Sequence, residues 1–175
     1  MCSSDLSYVP HKVAMPAAGG HIPRVVAKGI YANAYYAGER PLDVALRNFV
    51  DQVEKATLPS MVMVAFSMAG GTGSGMVVDL ARHLSNVKLG RRIPVIGVGQ
   101  LPHSGDGEYY NNATTYTTLN DLDCMLDDDK NAGVTAVWGD LYRSPFTGGF
   151  FVVNPEQSWA RLTAYTTTGE KEVRQ

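Results

Sequence analysis

The sequence predicts an α/β fold, a three-layer, mostly parallel sheet with helices on both faces. Three observations carry that reading. Apolar runs of strand length occur at 61–67, 93–99 and 149–153, and continuous rather than alternating apolar runs suit strands covered on both sides, as in parallel sheets. Between them lie segments whose apolar residues recur at three and four, the helical period. Strand, helix, strand, helix, strand, helix then implies parallel pairing through right-handed crossovers.

In chain order, residues 10–23 are rich in Pro, Ala and Gly and read as an irregular loop. A helix is expected over 24–36, broken by Gly38. Pro41 suits a first helical position, and Leu42, Leu46, Phe49, Val50 and Val53 give 41–56 one buried face. The strand at 61–67 runs into a glycine-rich loop, after which Met76, Val77, Leu80, Ala81 and Leu84 mark another amphipathic helix. Pro94 must stand at the start of the second strand or at an unpaired edge position. A polar loop over 100–107 precedes a helix on which Ala113, Tyr116, Leu119, Leu122 and Leu126 share a face. The stretch 127–147, acidic and then glycine-rich, is expected to be an irregular surface insertion in which Asp127, Asp128 and Asp129 are simply solvated. Pro155 opens a last helix reaching about residue 164. No internal repeat is evident.

Composition narrows the function classes. The 175 residues are 45% apolar with a net charge of −2 and interspersed signs, so neither a nucleic-acid footprint nor a membrane-surface patch is indicated. The longest apolar runs, about seven residues, fall far short of a membrane span. Only Cys2 and Cys124 are present and no His or Cys cluster has metal-ligand spacing, which fits a reducing cytoplasm. No secretory signal is visible. The opening Met1-Cys2-Ser3-Ser4-Asp5-Leu6 resembles a translated sequencing adapter. Residues 1–6 are therefore expected to be an artefactual leader outside the fold, with 7–175 a partial domain of a larger protein.

The run Ala69-Gly70-Gly71-Thr72-Gly73-Ser74-Gly75 joins a buried strand to a helix. A phosphate cradle needs backbone N–H groups aimed at the anion, hence residues able to take positive φ, and it gains from the positive end of a following helix. Thr72 and Ser74 add hydroxyl donors. The Walker pattern is excluded because no Gly-Lys-Ser/Thr follows. A dinucleotide fingerprint would need Gly where Met76 stands, and an acidic residue where Gln100 stands.

The seven-residue run is similar to the Gly-Gly-Gly-Thr-Gly-Ser/Thr-Gly signature of the tubulin/FtsZ family of GTPases, with Ala69 in place of the first Gly. The resemblance extends from about residue 17 to 159. Ala17-Ala18-Gly19-Gly20-His21-Ile22-Pro23 is similar to the family loop that contacts the terminal phosphate. Glu108-Tyr109-Tyr110-Asn111 is similar to a run whose Glu lies near the ribose, with Asp106 a weaker candidate. Asn154, before Pro155 and Glu156, stands where the family places an Asn that reads guanine. Each also has a plainer structural role: Gly19 and Gly20 as a turn, Glu108 as a solvated acid, Asn154 as a helix N-cap.

The resemblance implies a guanine-nucleotide site, GTP or GDP with Mg2+, formed by Gly19, Gly20, Ala69, Gly70, Gly71, Thr72, Gly73, Ser74, Gly75, Glu108 and Asn154. It also implies a cytoplasmic, filament-forming cytoskeletal or cell-division GTPase. Hydrolysis would depend on head-to-tail self-association, an acidic loop coming from a neighbouring subunit, so no catalytic residue is assigned here and this chain alone is expected to be inactive. Alternatives are a nicotinamide-dependent oxidoreductase with a variant loop, or a structural homologue that does not hydrolyse nucleotide. No nucleic acid or membrane insertion is expected.

Overall fold

The computed structural model describes residues 22–109 and 114–165. Helix α1 (Arg24–Tyr36) and helix α2 (Pro41–Glu54) precede strand β1 (Val62–Ser67). Helix α3 (Gly71–Arg82) continues into a wider π-helical turn, His83–Lys88, before strand β2 (Val95–Gln100). A 3-10 segment, Ser104–Tyr109, leads towards helix α4 (Thr114–Leu126), helix α5 (Asp128–Trp138) and a short turn, Asp140–Tyr142. Strand β3 (Gly149–Val153) and helix α6 (Glu156–Tyr165) complete the order. Both strand pairs are parallel, in the order β1-β2-β3, with Val62 opposite Val95 and Ile96 opposite Gly149.

Local chemistry explains the boundaries. Pro41 occupies the first turn of α2, where its missing N–H has no helical partner to lose. Pro94 sits just before β2, and its carbonyl accepts from Val62 N–H at 2.9 Å, so it serves the ladder as an acceptor only. The stretch expected to be irregular is in large part a helix. Asp127 caps α5, its carboxylate accepting from the N–H groups of Asp129 and Lys130, and Asp128 and Asp129 lie in the first turn, where negative charge favours helix. Gly139, at φ 83°, ends it.

Both crossovers step the same way across the sheet, so right-handedness puts α3 and the α4–α5 pair on one side. The core lies there: Val62, Val64 and Val95 of the strands pack with Tyr31, Leu46, Val50, Val77, Leu84 and Leu122 of the helices. The other face carries Met63, Phe151 and Val153, exposed by 62%, 56% and 45%. The parallel sheet with its helices is the α/β fold expected from the sequence, and the helices that build the described core pack on this one face.

Two buried polar clusters tie the helices together. His83, 3% exposed, stacks on Tyr35 at 3.7 Å between ring centroids. Its Nδ1 bonds the Tyr31 hydroxyl at 2.8 Å and its Nε2 the Tyr36 hydroxyl at 2.6 Å. Burial pushes the imidazole down to about 4 and the Tyr36 phenol up to about 12. Beside this cage is a cavity the size of one water, lined by Tyr36, Asp79, Arg82 and His83. The buried Oδ2 of Asp79 has no hydrogen-bond partner among the described residues. At the end of the π-helical turn, Lys88 pairs with buried Asp43, which also takes Arg47 at 2.5 Å. Chiefly through the Lys88 hydrogen bond, Asp43 is held below the usual carboxylate range.

The depressed His83 value fixes a sign. In the unfolded chain a histidine titrates near 6.5, so the unfolded state binds the extra proton first as pH falls. Stability is therefore whole above pH 6.5 and declines as pH drops towards 4. Urea unfolding at pH 7 and pH 4.5 should show a loss on the order of 2–3 kcal/mol from this group, and the His83→Gln variant should lack that part of the slope.

Candidate functional site

All three strands end on one edge, and each runs directly into a segment singled out by the sequence: 68–70 after β1, 101–109 after β2, Asn154 after β3. In open parallel sheets, ligands bind in the crevice beyond the carboxyl ends of the strands. The ladder continues one residue past β1 and β2, with Met68 N–H donating to Gln100 O and Leu101 N–H to Val153 O, both at 2.9 Å. The outer strand ends emerge two strand spacings apart, about 10 Å.

The glycine run is divided differently from expectation. Ala69 is buried, and its N–H donates to Ser67 Oγ at 3.2 Å. Gly70 is the N-cap, extended at φ −94° and ψ 154°. From Gly71 onward the chain is already the first turns of α3, and none of these glycines has positive φ. Close approach, not left-handed backbone, demands glycine here. A Cβ on Gly71 would lie 1.8 Å from the Ile22 carbonyl oxygen, and one on Gly75 would lie 2.4 Å from that of Arg24. Around Gly70 there is nothing within 4 Å.

Those contacts set α1 and α3 side by side and parallel, with Ile22 and Arg24 at Gly71 and Tyr31 at His83. Both helices therefore present N-termini, with N–H groups that have no intrahelical acceptor, at the same point of the strand-end edge. Two like dipole ends held together repel, and an anion placed between them relieves that repulsion. Arg24 adds a full charge, its Nε donating to Ser74 O at 3.2 Å and its Nη2 pairing with Asp121 of α4. The two hydroxyls are not equivalent. Ser74 is fully buried and donates within the turn to Gly70 O at 2.6 Å, while Thr72 is exposed at the edge.

Asn154 takes its plainer role: its Oδ1 accepts from Glu156 N–H at 3.0 Å, capping α6. That bond leaves its NH2 and a second carbonyl lone pair uncommitted. Glu108 falls in the 3-10 segment Ser104–Tyr109 on this edge, and its side chain lies outside the described residues, as do Gly19 and Gly20. Asp106 is engaged with His103, accepting from its backbone N–H at 2.8 Å and meeting Nδ1 at 2.7 Å.

Sequence reasoning missed the brace between the loop after β2 and α6. Ser104 donates from its backbone to Glu156 Oε2 at 2.8 Å and from its hydroxyl to Oε1 at 2.7 Å, which holds that carboxyl below its usual range. The His103 ring stands edge-on to Trp159 at 5.0 Å. No local pattern signals a pairing across 52 residues. The role of Arg24 was equally invisible.

The family described as "Tubulin/FtsZ family, GTPase domain" matches residues 19–126, from the segment before α1 to the end of α4. The tubulin-like protein CetZ4 of Haloferax volcanii is 30% identical over 114 residues, which cover 63% of this chain and 26% of the relative. The chain thus spans about a quarter of the length of that curated relative. No solved structure gives a significant match.

The glycine geometry generates a contrast. Gly71→Ala is expected to force α1 away from α3 and to cost about 2–3 kcal/mol, the upper range for overpacking. Gly70→Ala, in open space and extended, should stay within about 1 kcal/mol. Urea midpoints of the two variants check both.

Proposed function

The chain belongs to the tubulin/FtsZ family through its GTPase domain, and from that premise we propose that the strand-end edge binds a guanine nucleotide, with its phosphates at the paired N-termini of α1 and α3. The observation that carries the reading is the meeting of two parallel helix N-termini at Gly71, where Gly70 brings no side chain between an anion and the amides.

In this reading the backbone of Ala69 to Gly75 holds the phosphates, and Thr72 supplies the available hydroxyl. Ser74 acts indirectly, fixing the turn through Gly70 O. Gly19 and Gly20 meet the terminal phosphate. Glu108 accepts the ribose hydroxyls, and Asn154 offers its amide to the base while its carbonyl caps α6. The spacing of about 10 Å between the ends of β1 and β3 suits a ligand with an anionic end over one strand and a base over the other. Among the described residues no cluster of three or more His, Cys, Asp or Glu could cage a metal. In this reading Mg2+ would accompany the nucleotide's phosphates, a pairing it favours.

Hydrolysis, in this proposal, belongs to the assembled protein, where a neighbouring subunit supplies the acidic group that activates water. A cytoplasmic, filament-forming role in the cytoskeleton or in cell division goes with it. No described helix is long and apolar enough to cross a membrane.

Displacement of a fluorescent GDP analogue tests the reading. GTP should compete, while ATP and NADH at equal concentration should not. Failure of GTP to displace the probe, with or without Mg2+, would sink it. Thr72→Ala should weaken binding by about ten- to a hundredfold, the loss of one hydrogen bond to a charged group, with the unfolding midpoint unchanged.

A further inference from the structure

At the opposite edge of the sheet, where strands begin, the described residues enclose a second polar concavity. It is a groove of about 410 Å3 between α5 and the segment 143–144, within the size range of small-molecule sites. One wall is a single face of α5, where Asp128, Asn131 and Thr135 recur at helical spacing. The other wall carries Arg91, Arg143 and Ser144. We propose that this groove is an oxyanion site, taking a small phosphate- or carboxylate-bearing molecule that bridges the two guanidinium groups.

The charge and the local architecture both point that way. The groove's lining sets two guanidinium groups against the Asp128 carboxylate, with Asp140 beside Arg143 outside it, and planar guanidinium groups pair bidentately with phosphate or carboxylate. Arg91 is held in place by unusual backbone. It lies in left-handed conformation at φ 59°, directly after Gly90 at φ 53°, a conformation disfavoured for a residue with a Cβ. Its Nη1 donates to Asn86 Oδ1 at 2.9 Å and to the Ser144 carbonyl at 2.6 Å.

The Asn86 side chain also orders the facing segment. Its Nδ2 donates to the carbonyls of Leu141 and Arg143, at 3.0 and 2.8 Å. One amide thus fixes the chain that carries Arg143 and orients the head of Arg91. Arg143 itself is exposed, with Asp140 4.0 Å away. On the α5 wall, Asn131 is buried and donates to Tyr142 O at 2.7 Å, which closes the floor of the groove. The Arg91 guanidinium and the backbone that carries Arg143 are pre-set by contacts 50 or more residues apart in the chain, which reduces what a ligand must organise on binding.

Arginine Nε–H signals of the isotope-labelled full chain, titrated with inorganic phosphate and separately with citrate, test the site. The expected result is a saturable shift of the Arg91 and Arg143 signals. Arg143→Gln should weaken binding by about fivefold or more, and Asp128→Asn should tighten it, because it removes the repelling carboxylate of the lining. Both substitutions are at exposed positions, so thermal unfolding should confirm intact folds. Saturation by phosphate alone identifies a phosphate-bearing ligand, and by citrate alone a carboxylate. A shift no different from that given by equal ionic strength of sodium chloride would overturn the site, as would affinity indifferent to Arg143→Gln. Shifts confined to the amides of Gly71, Thr72 and Gly73 would also overturn it while supporting the strand-end edge. Failure of guanine-nucleotide binding leaves these arginine signals readable, so the two readings fail separately.

Discussion

The approach of α1 to the first turns of α3 is the constraint on which most of the molecule hangs. It requires glycine at 71 and 75 because backbone, not side chain, fills the space beyond each Cα. Once that contact is made, the helices have little choice of register, and their downstream halves must meet as well. Tyr31, Tyr35 and Tyr36 of α1 then close around His83. The wider turn that follows carries Lys88 to Asp43 and so fastens α2 to the same body. A contact at one end of the sheet thereby organises a polar core at the other end of the helices.

The same contact gives the strand-end edge its electrostatic character. Helix dipoles ordinarily alternate or splay; here two run in parallel with their positive ends together, and Arg24 stands between α3 and α4. The glycine signature thus has a dual consequence. It permits the interhelical approach and clears the amides at the point where that approach concentrates positive potential. Family membership and local geometry meet on this feature, since the match over 19–126 contains both helices.

Much of the fold was legible because its signals are local. The apolar runs at 61–67 and 93–99 contain β1 and β2, and the periodic segments became α1 to α4 within a few residues. The stretch 127–147 was misread because its helix has little apolar periodicity; its evidence is the Asp127 cap and the acidic first turn, which charge alone made look solvated. The glycine run joins strand to helix as its flanks indicate, but its need for glycine is of another kind, because φ angles and the position of α1 are tertiary facts. Asn154 shows the limit from another side. The same residue satisfies a cap and a base-reading pattern, and only coordinates show the cap bond. The Ser104–Glu156 brace has no sequence signal at all.

The His83 cage has a consequence that appears on counting hydrogens. Two tyrosine hydroxyls and one neutral imidazole bring three hydrogens to two hydrogen bonds. Whichever ring nitrogen is protonated, one hydroxyl must accept from the ring and direct its own hydrogen elsewhere. The water-sized cavity beside Tyr36, which Asp79 also lines, offers that hydrogen an outlet. An outlet on the Tyr36 side fits the tautomer in which Nε2–H donates to Tyr36 and Tyr31 donates to Nδ1. In that tautomer the hydrogen bonds run one way, from Tyr31 through the ring to Tyr36, and point the last hydroxyl hydrogen towards the cavity that Asp79 and Arg82 line on α3.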